Sequence, residues 1–147
     1  MTQRSLNDWL ADYAVSHQNH TNKSIHWLCV PVIFITIMGL IFGLSPYALY
    51  AVIALVAIFY LRLSISLGIA MLIFMLMILA FLTFVAVPWT VWLAIFVIAW
   101  IGQFVGHKIE GKKPSFFQDL QFLLIGPAWV ACSILGKVPT STSNNKT

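Results

Sequence analysis

The sequence predicts an all-α integral membrane protein: a bundle of four transmembrane helices, preceded by an interfacial helix and followed by a re-entrant or interfacial one. Three observations carry that reading. Of 147 residues, 61% are hydrophobic and only 8% charged, with a mean hydropathy of +0.93, whereas soluble domains carry about 25% charged residues. No charged side chain occurs from Trp27 through Leu61 or from Leu63 through Gly106; a membrane helix needs roughly 20 apolar residues, so each run holds two. Each run is also broken near its middle, by Gly43, Ser45 and Pro46 in FGLSPY and by Pro88 in VAVPWT.

The first element is the interfacial helix. Ser5 with Asp8 three residues on resembles a capping box. Leu6, Trp9, Leu10, Tyr13, Ala14 and His17 then recur at the spacing of one helical face, a stripe suited to a helix lying in the membrane interface. Spans follow at residues 26–44, 46–62, 65–87 and 89–106. Pro46 and Pro88 favour new helices because a first-turn proline lacks only an N–H that would be unpaired there anyway. Trp27, Tyr60, Trp89 and Trp92 fall at span ends, where interface-seeking aromatics belong.

The last element lies in FFQDLQFLLIGPAWVACSILG. Its apolar part, Phe122 to Leu135, contains Gly126 and Pro127 and is too short to span, so it reads as re-entrant or interfacial. Residues 1–138 form a single membrane domain on this reading, and the polar tail 139–147 is expected to be disordered. The opening MTQRSLNDWL lacks the charged-then-apolar order of a signal peptide.

A net charge of +4 raises nucleic acid as a partner, but the basic residues are scattered beside apolar runs, which points to the lipid bilayer instead. Four spans leave the N-terminus, the turn at Arg62 and the loop after Gly106 on one side. That side collects Arg4, Lys23, Arg62, Lys108, Lys112 and Lys113, while the two opposite turns carry no charge. The positive-inside rule then makes both termini cytoplasmic, in the inner membrane of a bacterium or the endoplasmic reticulum of a eukaryote. Cys29 and Cys132 lack metal-type spacing and read as packing residues.

The chemistry concentrates in YAVSHQNHTNKSIHW, Tyr13 to Trp27, where three of the four histidines stand. His26 opens the first span, His107 closes the fourth, and His17 ends the interfacial helix on its apolar face, so all three meet one membrane surface. Ionisable residues near lipid default to a functional reading, and neutral imidazole is the commonest metal ligand among side chains. Glu110 follows His107 at i+3, on the same face if that helix continues. Histidines with one carboxylate and open positions form the donor pattern of non-haem iron(II) oxygenases. Gln103, four residues before His107, is placed to orient its ring. Asn19 and Asn22 stand at i and i+3 to His26 at i+7; their amides either hydrogen-bond ligands or substrate, or cap the first span.

A blander reading stands beside this one: interfacial water satisfies these histidines and asparagines, and no metal binds. His20 reads as an exposed loop residue, Lys112 and Lys113 as topology anchors, and Arg62 as a side chain snorkelling to the headgroups. Met71, Met75 and Met77 lie deep in the third span and read as packing rather than a copper site.

YAVSHQNHTNKSIHWLCVP and QFVGHKIEGKKPSFFQDLQFLLIGPAW together resemble the Mpo-like family of small membrane proteins, over roughly residues 10 to 135. The matching positions are Tyr13, His17, Asn19, Asn22, His26 and Pro31, then Gln103, Gly106, His107, Glu110, Pro114 and Leu123 to Trp129. His20 is not among them. The resemblance implies an iron(II)-dependent dioxygenase of fatty acid α-oxidation, acting on a 2-hydroxy fatty acid and O2. It implies His17, His26 and His107 as iron ligands, Glu110 as a fourth ligand or nearby base, and Asn19 and Asn22 as further site residues. Short loops and the HKIEGKKP form look more like bacterial members than fungal ones.

Three rival classes remain. A di-iron desaturase needs about eight histidines by family expectation, and four are present. A small transporter needs polar residues at mid-span, yet LGIAMLIFMLMILAFLTFV offers only Thr83. A structural membrane protein would carry its histidines merely as interface residues, and metal content separates it from the enzyme.

Overall fold

A computed structural model describes residues 5–111, 116–134 and 136, with side chains at all of these except 6, 16, 116–123 and 133. Among them are six helices and no strand: α1 (Leu6–Ser16), α2 (His20–Leu44), α3 (Pro46–Leu63), α4 (Ile65–Phe84), α5 (Trp89–Glu110) and α6 (Phe116–Ile134). Four of these, α2 to α5, are long and apolar enough to cross a membrane.

Local chemistry sets most of the boundaries. The Ser5–Asp8 capping box forms, with each side chain bonded to the other's backbone N–H. Ser45 caps α3 through a bond from Ala48 N–H, and Pro46 occupies its first turn. Helix α5 ends on Gly111 at φ 74°, a left-handed stop that glycine takes without a Cβ penalty.

Three boundaries differ by three residues or more from those the hydropathy pattern suggests. Helix α2 begins at His20 rather than residue 26, because Asn19 Oδ1 accepts the N–H groups of Thr21 and Asn22. His20 is therefore the first residue of a helix, not a loop residue, and it is exposed. Helix α4 stops at Phe84 instead of 87, with Val85 extended, since the residue before Pro88 is pushed out of the helical region and the chain straightens ahead of it. Helix α5 runs four residues beyond 106, placing His107 and Glu110 within one turn.

The most extensive pairing is α2 against α5, then α3 against α4; α6 packs on α2, α1 and α4. Phe34, Met38, Ile53, Met71, Met75 and Ile78 are among the buried core. Ile58, Ile65, Ile69, Ile73, Phe81, Ile98 and Ile101 point outward and are exposed. In water an apolar surface of this extent would drive association; in a bilayer it is the face that lipid covers.

Two of the aromatics expected at the interface are interior instead. Tyr60 is fully buried and donates its hydroxyl hydrogen to the Leu124 carbonyl, tying α3 to α6. Trp92 is buried with its indole against Gly39. Both rings fill space between helices, and Tyr60 finds its polar partner in the protein. Trp27 and Trp89 are exposed as expected. Met71 and Met75 are core residues and Met77 is exposed; Cys29, half-buried, and Cys132, buried, are in no disulfide among the described residues. Pro114, Lys112, Lys113 and the tail from 137 lie outside the described residues.

Candidate functional site

Helix periodicity aligns the site on α2. Asn22, His26 and Val30 recur at i, i+4 and i+8 and are all buried. Across from them α5 presents Gln103, Gly106 and His107, also buried. Helix α1 delivers the third histidine by its C-cap, His17.

The three imidazoles meet in one cluster. Ring centroids stand 4.4 Å apart for His17 and His26, 4.9 Å for His26 and His107, and 6.2 Å for His17 and His107. Their exposures are 2%, 5% and 8% for His17, His26 and His107, too low for outside water to solvate the rings as the bland reading requires. His20, the fourth histidine, is exposed and apart from them.

Two of the rings have their tautomer set by the backbone. His17 Nδ1 lies 2.7 Å from the Tyr13 carbonyl and His26 Nδ1 lies 3.0 Å from the Asn22 carbonyl. A carbonyl only accepts, so each Nδ1 carries the hydrogen and each neutral ring keeps its lone pair on Nε2. Metal-binding histidines are held the same way, by an N–H given to a backbone carbonyl. Tyr13 also stacks on His17 at 4.0 Å and 15°.

Glu110 acts across the chain. Its carboxylate accepts the backbone N–H of Gln18 at 2.8 Å, that of Asn19 at 3.0 and 3.2 Å, and the side-chain amide of Asn22 at 2.9 Å. It thereby clasps the link between α1 and α2 to the end of α5. A carboxylate at the start of α2 also meets the positive end of that helix's dipole. Asn19 is engaged as the α2 cap.

Asn22 has 0% exposure. Its Nδ2 must face the acceptor-only carboxylate of Glu110, which assigns Oδ1 to the other side; that atom is buried without a hydrogen-bond partner among the described residues. It lies over Gly106, where a Cβ would come within 2.5 Å of Asn22 Oδ1 and 3.1 Å of His26 Cε1. Only glycine leaves room for both side chains there. Gln103 is buried one turn before His107.

Three imidazoles are a donor set that divalent transition metals accept, though their spacing here is not that of a formed site. Bonds of about 2.1 Å to nitrogen hold the ring centroids of two imidazoles on one ion roughly 4.5–5.3 Å apart. Two of the three separations lie at or near that range and the third is wider. Accordingly, among the described residues no three His, Cys, Asp or Glu side chains already stand at coordination spacing.

Sequence reasoning named the three histidines, Glu110 and both asparagines, and one of its two readings of the asparagines, a cap on the first span, holds for Asn19; the bonds that Glu110 and Asn22 make were not foreseen. It also gave Tyr13 no role beyond its helical face, although a position four residues before His17 carried the signal. Gly106 had no visible role, because its neighbour Asn22 is remote in sequence.

The fold and site together define a small helical membrane protein that buries three histidines at one end of its bundle. The chain belongs to the 2-hydroxy-palmitic acid dioxygenase Mpo1-like family, whose model matches residues 3–138. No curated protein and no solved structure gives a significant match.

Proposed function

We propose that this protein is an iron(II)-dependent dioxygenase that converts a 2-hydroxy fatty acid and O2 into the acid one carbon shorter, CO2 and water. The observation that carries the reading is the buried convergence of His17, His26 and His107, with two of the rings set in the ligand tautomer. The family description supplies the substrate class. The balance closes without a second reductant: R–CHOH–COOH gives up four electrons on becoming R–COOH and CO2, the number O2 accepts in reaching water level.

His17, His26 and His107 hold the metal. Iron(II) bound there supplies the oxygen chemistry that amino-acid side chains lack. The protein's own groups do the rest. Tyr13 and the Asn22 carbonyl fix the two rings, Glu110 holds the α1–α2 link closed over them, and burial keeps bulk water away. Asn22 Oδ1, an acceptor without a partner, takes the hydrogen bond of the substrate's 2-hydroxyl. An acid without that hydroxyl leaves Oδ1 unpaired, which disfavours its binding.

Purified protein given iron(II) and 2-hydroxy-palmitic acid should consume one O2 per CO2 released and yield the shortened acid. 2-Oxoglutarate and NADPH should add nothing, and palmitic acid should be inert. An absolute need for an added reductant would overturn the self-sufficient reaction.

A further inference from the structure

An apolar cavity of about 200 Å³ lies between α2, α4 and α6, partly open at the surface, with Pro31, Met71, Phe74, Pro127, Ala131 and Ile134 among its walls. Pro31 and Pro127 both sit inside helices, where proline removes a backbone bond and its ring displaces the preceding turn. Both prolines line the cavity.

Two packing contacts set the cavity beside the histidine cluster. Val30, one turn after His26, presses on Gly126, where a Cβ would stand 2.5 Å from Val30 Cγ1. Trp129, between cavity residues Pro127 and Val130, lies 5.5 Å from the Tyr13 ring that stacks on His17. Pro31 follows His26 by five residues, about 7.5 Å further along α2. No lining side chain can receive a carboxyl group, so a polar head must sit elsewhere. The buried polar groups that these contacts place beside the cavity are those of the histidine site.

We propose that this cavity holds the middle of the substrate's acyl chain and so sets the shortest chain that binds well, with Ala131 at its wall; this rests on the dioxygenase reading. The volume suits on the order of seven methylene groups, taking each as roughly the volume share of one water. The carbons next to the head cover the distance from the histidines, and a longer tail leaves through the open side into lipid.

The test is anaerobic binding of radiolabelled 2-hydroxy-palmitic acid and 2-hydroxyhexanoic acid to the full chain in lipid nanodiscs. The six-carbon acid is too short to fill the cavity. Ala131→Phe should weaken the long acid by at least about tenfold, the loss of a few buried methylenes, and leave the short acid within about twofold. In a second variant, Ala131→Cys, the long acid should slow maleimide modification at residue 131, told apart from the adjacent Cys132 by fragment-ion mass, and the short acid should not. Equal weakening of both acids, or no protection at residue 131 in Ala131→Cys, would overturn the proposal; the second result would leave the cavity to bilayer lipid. Length-dependent binding without turnover on adding iron(II) and O2 would support the cavity and sink the dioxygenase reading. Turnover with an unchanged length profile in Ala131→Phe would do the reverse.

Discussion

Glu110 and Asn19, 91 positions apart in sequence, are joined at the site: both carboxylate oxygens of Glu110 take the Asn19 backbone N–H, at 3.0 and 3.2 Å. The same carboxylate binds Gln18 N–H and the Asn22 amide. The bond thus fixes the segment between His17 and His26 to the helix that carries His107.

If Glu110 works as this clasp, Glu110→Ala should lower stability by about 1–2 kcal/mol, allowing for its partial exposure. It should loosen iron binding by destabilising the position of His17. Glu110→Gln keeps an acceptor oxygen and should recover part of both. Iron titration and thermal unfolding of the two variants decide the matter. Activity lost with iron fully retained in Glu110→Ala would give Glu110 a role in the reaction without ligation.

Alanine at His17, His26 or His107 should abolish turnover and lower the iron bound per chain. His20→Ala should do neither, since His20 is exposed at the start of α2. Metal analysis of the purified variants is the measurement. Full iron and turnover in His26→Ala would remove the proposed site.

Gly106→Ala drives a methyl group to 2.5 Å from Asn22 Oδ1. Overpacking of this kind costs about 1–3 kcal/mol, and here it displaces Asn22 and His26 together, so activity should fall with stability. Gly43→Ala is the control. A Cβ there has its nearest neighbour at 3.7 Å, an ordinary contact, and the change should be neutral or stabilising by up to about 1 kcal/mol. Unimpaired turnover in Gly106→Ala would show that the close approach has no functional weight.

The charge distribution predicts cytoplasmic termini. A reporter fused after Thr147 should report the cytoplasmic side and one at Ser45 the opposite side. Activity of the Thr147 fusion only outside the cytoplasm would reverse the assignment or require α6 to span.

Much of the architecture was legible because it depends on local quantities. Uncharged runs, Pro46 and Pro88 locate the helices, the Ser5–Asp8 pair starts the first, and the histidine spacing puts three imidazoles at one membrane face. Helix ends were read less well. The Asn19 cap lengthened α2 and the strain ahead of Pro88 shortened α4, and hydropathy registers neither.

What the sequence by itself determined is therefore the class of protein, the helices that cross the bilayer and the identity of the clustered side chains. Which face each helix turns inward was decided only by tertiary packing. A helix such as α4 is apolar on all sides, because lipid and protein interior ask for the same residues, so its sequence carries no inward stripe. For that reason Tyr60 and Trp92 were placed at the interface when they fill the core. The uses of Glu110, Asn22 and Gly106 were likewise settled by packing, since each depends on a partner that only the pairing of α2 with α5 brings into reach.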